Sequence, residues 1–400
     1  MTGSLAMPMG REAVVTACVQ AANVWWSDGV PVGTKWRRVA ELHGRVALAH
    51  LVSTGRVFPL VEFVDALGGS LSSLLPPSMR EDCDAVDLLE DGGLSSAAAD
   101  LLLENMSPSV TAADMAGWSW KSLSAEKVQG WLFRQLLVTG SQSGYVEARS
   151  TVIRNSAGPL VGINDAIKRA GLPRDGLYES IPAWAWTAKD GQKYWFGCPI
   201  CGWPMRVQLD RMTCQYRPHA DMLGWIAVVW QKSGTPQLGP FNRKKLPGIQ
   251  VVRDRDCAAH PVEDHLCLVP AVWRYSTIPG LEECHLCEEC NQIPGVHAAL
   301  WPDLDSYDLS VAQPNGKTWR VDVKDYTDPG RLASVLSNKA VLRDPTFRIV
   351  VPDYRSRQVP LLNERLNEAF GTARRTYAMT SRQFLGMIRR SAAKGTDGAR

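Results

Sequence analysis

Alternation of apolar and charged residues across residues 301–328, WPDLDSYDLSVAQPNGKTWRVDVKDYTD, constrains the fold of this chain more than any other stretch. Tyr307, Leu309 and Val311 alternate with Asp308 and Ser310; further on, Trp319, Val321 and Val323 alternate with Arg320, Asp322 and Lys324. A period of two marks strands with one apolar and one polar face, so the stretch reads as a β-hairpin. Pro314-Asn315-Gly316 suits a type I turn closed by a glycine in the left-handed region, since proline pre-sets φ and glycine tolerates a positive value. That turn pairs Gln313 with Lys317, and counting outward sets Asp308 opposite Asp322. Side chains so opposed lie roughly 5 Å apart at Cβ, where like charges destabilise the pair. A bound cation removes the penalty.

Lys324 stands two residues beyond Asp322 and projects from the same face. Two carboxylates and an ammonium then converge on one patch, with both carboxylates expected to face outward. Hard divalent ions such as Mg²⁺ or Mn²⁺ take oxygen ligands and keep water positions open for a phosphate. A neighbouring lysine can orient water and offset developing charge. This is equipment for phosphodiester hydrolysis; the alternative is a solvated hairpin face with ordinary surface charges.

At these residues the chain resembles the PD-(D/E)xK nuclease superfamily, whose core sets an aspartate on one strand and acid-x-lysine on the next, here Asp308 and Asp322-Val323-Lys324. The phrases YSTIPGLEE, WPDLDSYDLSV and WRVDVKDYTDPGRLA resemble, more narrowly, the restriction-endonuclease-like family encoded beside the prokaryotic PIWI proteins called pPIWI-RE. The resemblance implies an αβββαβ core and a metal-dependent endonuclease that acts on DNA in defence against phage or plasmids. It implies a PIWI-type protein and a helicase as partners, and a metal-assisting acid on the preceding helix: Glu283, with the adjacent Glu282 as the alternative.

At 400 residues the chain has room for two or three domains, and 45% hydrophobic residues suffice for their cores. It has neither a signal-type N-terminus nor a run of eighteen apolar residues, so a cytoplasmic protein is expected. Ten cysteines in a reducing compartment point to thiols or metal ligands rather than disulfides. Residues 1–178 carry helical periodicity, at Glu12–Trp26, Lys35–Val52, Phe58–Leu67, Ala97–Glu104, Ser124–Leu137 and Gly162–Ala170, and no catalytic motif. Their tryptophans, Trp25, Trp26, Trp36, Trp118, Trp120 and Trp131, read as core or a partner surface. Glu81–Glu104 holds eight acids and no lysine or arginine, which reads as a solvated face or a dock for a basic protein.

From about Ile181 the composition turns to aromatic alternation and then to CPICGWPM. Cys198-x2-Cys201 on a tight turn, with Cys214 and His219 downstream, matches the Cys3His set of a structural zinc site; Cys257, His260 and Cys267 are alternative suppliers of a ligand. Leu223–Trp230 and Leu266–Tyr275 read as strands, and between them Arg243, Lys244 and Lys245 form a basic loop.

Ile278-Pro279-Gly280 is expected to break the chain before a helix at Leu281–Asn291, whose Cys284, Cys287 and Cys290 read as buried thiols. The strand ahead of the hairpin is either Cys267–Tyr275 or Val296–Leu300. Beyond the hairpin, Arg331–Leu342, Leu361–Phe370 and Ser381–Arg390 fit helices, and Phe347–Val351 and Arg375–Met379 fit strands. Residues 331–400 hold fourteen lysines and arginines against five acids, in a chain of only +3, an excess that suits nucleic acid. The expected architecture is multidomain α plus α/β: a helical domain at 1–178, a zinc-ribbon-like β module at 179–262, and a restriction-endonuclease-like nuclease domain at 263–400. The rival reading is a nucleic-acid-binding adaptor with a catalytically inactive nuclease fold.

Overall fold

A computed structural model of the chain describes residues 10–27, 30–80, 86–90, 93–104, 132–232, 234–241 and 258–397. Trp118, Trp120, Trp131, the basic triplet Arg243 to Lys245, Cys257 and much of the acidic segment, Glu81 and Asp91 included, lie outside the described residues. The protein is mixed α/β and divides into two compact units: 1–123 with 326–339 and 364–369, and 124–325 with 340–363 and 370–400. This cut differs from the three consecutive segments suggested by the sequence, because the chain beyond the hairpin contributes to both units. Among the described residues no helix is long and apolar enough to cross a membrane.

The first unit is mainly helical, with a short antiparallel pair, Leu89–Glu90 and Gly93–Leu94. Arg11–Trp26 buries Val14, Val15, Cys18, Val19 and Ala22, and packs against Val32–Thr54, which ends on Gly55 in the left-handed conformation. Glu104, the last residue of the acidic segment, accepts hydrogen bonds from the Thr327 and Asp328 backbone N–H groups (2.7 and 3.0 Å). That acid is thus bonded within the unit.

In the second unit a five-stranded sheet runs in the order His297–Leu300, Leu309–Ala312, Thr318–Val323, Phe347–Val351, Ala378–Thr380. The first three strands are antiparallel neighbours, and the last two join in parallel. The strand ahead of the hairpin is therefore His297–Leu300. His265–Leu268 pairs instead with Ala157–Pro159 and Tyr178–Ser180 in a separate sheet. From Ile278 to Val351 the succession is helix, three strands, helix and strand, apart from short helical turns.

The hairpin turn forms as its residues dictate: Gln313 N–H donates to Lys317 O (2.9 Å) and Gly316 takes a φ of +80°. Leu309 faces Val321 and Val311 faces Trp319, so the same register carried outward sets Asp308 opposite Asp322. Leu309, Val311, Val321 and Val323 share a core with Leu286, Cys287 and Cys290 of the helix Ile278–Asn291. Cys287 and Cys290 are thus packing residues, and burial pushes the Cys290 thiol up to about 12.

Ile278-Pro279-Gly280 does not break the chain. Helical residues run from Pro270 to Asn291, with a π turn at Trp273–Thr277 where a strand was expected. Proline has no N–H to close the bond four residues back, and a turn bonded five residues apart takes up the mismatch. Gly280 then permits close approach of the helix Gln142–Arg154, since a Cβ there would lie 2.3 Å from Ile153 Cδ1. Gly280→Ala is expected to destabilise the protein by about 1–3 kcal/mol through overpacking, against alanine's better helix propensity. Thermal denaturation of Gly280→Ala, Ile153→Val and the double variant checks this, the double being less destabilised than the sum of the singles.

Candidate active site

Asp308, Asp322 and Lys324 converge as the hairpin register requires, but the carboxylates do not face outward: Asp308 and Asp322 are only 8% and 6% exposed. Asp308 stands just before its strand and folds back on the hairpin, accepting the Val323 N–H at Oδ2 (2.5 Å). Lys324 Nζ donates to Asp322 Oδ1 and stands 3.6 Å from Asp308 Oδ2, so an ammonium fills the space between the two acids. Burial, reinforced by Glu283 and Asp322, holds the Asp308 carboxyl well above the usual range, with Lys324 opposing. Burial disfavours the Lys324 charge, yet Asp308 and Asp322 more than offset it and raise its pKa. The two carboxylates are oxygen donors of the kind a hard divalent ion takes, and in this structure the Lys324 ammonium stands between them.

Glu283, on the helix Ile278–Asn291, is 2% exposed. Arg149 Nη2 donates to both of its oxygens (3.2 and 2.9 Å), and Trp301 Nε1 donates to Oε2 (2.5 Å). Burial raises this carboxyl while Arg149 pulls it down. With both oxygens engaged, Glu283 does not close with Asp308 and Asp322 into a tight set of three donors. Glu282 turns to a different partner, accepting from Ser381 Oγ, and burial pushes its carboxyl up to about 7.

Arg149 belongs to a helix, Gln142–Arg154, that sequence reasoning missed in a segment read as free of site residues. Its signals were a serine cap, Ser141, whose Oγ accepts the Gly144 N–H (3.1 Å), and a buried face of Tyr145, Ala148, Val152 and Ile153. Gln142, Tyr145 and Arg149 are spaced to share one stripe of the helix, and all three grip residues 301–305. Gln142 Nε2 donates to Trp301 O (2.8 Å) and its Oε1 accepts the Leu304 N–H (3.0 Å); Tyr145 Oη donates to Asp305 Oδ2 (2.8 Å), which Arg149 also meets. Trp301, Asp303, Leu304 and Asp305 take positive φ values of 47°, 54°, 56° and 74°. For residues with a Cβ each costs on the order of 1 kcal/mol or more, so the helix is holding a strained turn in place.

A second cluster lies at Cys198, Cys201, Cys214 and His219, all buried, with one ligand atom from each within 4.8 Å of every other. Among the described residues it is the one such set of three or more. Sγ of Cys201 and Cys214 are 3.8 Å apart, and His219 Nδ1 lies 3.7 Å from Cys214 Sγ and 4.0 Å from Cys198 Sγ. Tetrahedral ligands at zinc's bond lengths stand roughly 3.5–3.8 Å apart, so the donors fit that ion. Backbone N–H groups of Ile200 and Tyr216 donate to the sulfurs of Cys198 and Cys214, both at 3.4 Å. Gly202 takes a φ of +71°, as the tight CPICG turn requires. His260 and Cys267, the described alternatives, lie outside the set.

Asp308, Asp322 and Lys324 thus lie together at one end of a mixed sheet, with Glu283 on the helix Ile278–Asn291 near them. Residues 280–396 match the family described as the REase associating with pPIWI_RE, so this segment is similar to a restriction-endonuclease-like family. Comparisons with curated proteins and with solved structures gave no match.

Arg149→Met leaves Glu283 buried without its cation and is expected to cost about 3–5 kcal/mol. Adding Glu283→Gln removes the stranded charge and should recover part of the loss, as read by denaturant unfolding of the single and double variants.

Proposed function

We propose that the protein is an endonuclease that hydrolyses phosphodiester bonds of DNA with a divalent metal at Asp308 and Asp322, in prokaryotic defence alongside a PIWI-type protein and a helicase. The observation that carries this is the acid pair bridged by the Lys324 ammonium, in a segment that matches a restriction-endonuclease-like family. A bound Mg²⁺ or Mn²⁺ would polarise the scissile phosphate and acidify a water molecule. The PIWI-type partner rests on that family's description and the helicase on the sequence resemblance alone, while the basic excess of residues 331–400 favours a polyanionic substrate.

Lys324, with its raised pKa, stays an ammonium at neutral pH. It therefore works as a donor and a charge rather than as a base, orienting the attacking water and offsetting charge that builds on the phosphate. Glu283, held by Arg149 and Trp301, serves by its field: its charge helps to keep Lys324 protonated. We further propose one structural Zn²⁺ on Cys198, Cys201, Cys214 and His219, which neutralises thiolates that burial would otherwise disfavour. A catalytically inactive adaptor is the second reading, favoured by the engagement of Glu283 away from the acid pair.

Because the acids are buried, isosteric replacements are the suitable test. Asp322→Asn is expected to reduce Mg²⁺- or Mn²⁺-dependent cleavage of single-stranded, duplex or R-loop DNA by about two orders of magnitude or more, with any required partner supplied. Undiminished cleavage in this variant overturns the assignment, and binding without cleavage under every condition favours the adaptor. Asp308 must ionise to hold a cation, so activity should fall as pH drops through a value above the ordinary carboxylate range, and extra metal should shift that midpoint downward. Elemental analysis should find one zinc per chain, and Cys198→Ser should lose it together with thermal stability.

A further inference from the structure

We infer that Tyr216 is a positioning residue for Lys324, through which the Cys/His cluster governs the geometry of the acid pair; the catalytic consequence rests on the nuclease reading above. Tyr216 stands between Cys214 and His219 in sequence and is 1% exposed. Its N–H donates to Cys214 Sγ (3.4 Å), and its ring meets His219 edge-on with centroids 4.9 Å apart. Its hydroxyl reaches out of the cluster and donates to Oδ2 of Asp325, the residue directly after Lys324.

Asp325 is a buried clamp point, with its side chain 3% exposed. Oδ1 accepts from Arg355 Nε (2.9 Å), and Oδ2 accepts from Tyr354 Oη (2.9 Å) as well as from Tyr216. The Lys324 N–H is meanwhile fixed to Val350 O (2.8 Å). The end of the central strand is thus held by the sheet on one side and through Asp325 on the other, where Tyr216 brings the cysteine cluster to bear beside Arg355 and Tyr354. Lys324 has a long, flexible side chain, so where its ammonium sits depends on how firmly its backbone is held. Loosening the cluster, by removal of its metal or oxidation of its thiols, should therefore draw Tyr216 away from Asp325, leave that acid to Arg355 and Tyr354, and slacken the hold on the lysine.

The test is trace acetylation of lysines with acetic anhydride, read by mass spectrometry on the full chain, with exposed Lys232 as internal reference. Tyr216→Phe is expected to raise Lys324 labelling several-fold over Lys232 while its zinc content stays that of the wild type; chelator-treated wild type should show the same rise. In DNA cleavage, Tyr216→Phe should lower kcat about tenfold and leave KM unchanged, the mark of lost positioning rather than lost binding. Unchanged Lys324 labelling in Tyr216→Phe overturns the inference, even if the variant melts at a lower temperature. Should the wild type itself fail to cleave DNA, the nuclease reading falls, while the labelling still decides whether the cluster holds Lys324.

Discussion

The second unit depends on one buried cation. Arg149 is 9% exposed, bridges Glu283 and Asp305, and lies 4.5 Å over the Trp301 ring. A charge so placed is tolerated only with matched partners, and each partner without it would be a charge stranded away from water. The arginine therefore ties the helix Gln142–Arg154 to the helix Ile278–Asn291 and to the left-handed turn at 301–305. These segments lie far apart along the chain. The close seat of Gly280 against Ile153 follows from the same packing.

That cation belongs to a wider network of buried charges. Glu283, Asp305, Asp308 and Asp322 are four acids, faced by Arg149 and Lys324 as two bases. Burial, with Glu283 and Asp322 beside it, pushes the Asp308 carboxyl towards its protonated form, and Lys324 opposes that shift. Catalytic sites gain from such arrangements, since charges held in a water-poor setting act without having to reorganise as the reaction proceeds. The strained turn next to them is kept in place by Gln142, Tyr145 and Arg149 rather than by its own local preferences.

What the sequence determined by itself was local. Period-two alternation and Pro-Asn-Gly turn chemistry set the hairpin register, and the register alone opposes Asp308 to Asp322 with Lys324 alongside. The CPIC spacing likewise brought Cys198 and Cys201 onto one turn, with Cys214 and His219 near enough to complete the set. Tertiary structure decided the rest, because it depends on contacts between residues distant in the chain. Charged residues on a strand read as solvent-facing, yet Asp308 and Asp322 are buried. Arg149 showed no motif, since its meaning lies in Glu283 and Asp305, more than a hundred residues away. Pro279 read as a helix breaker, and only the preceding π turn lets the helix run through it. Period and turn chemistry act over a few residues and can be read from order alone; burial and charge pairing are settled when separate segments meet.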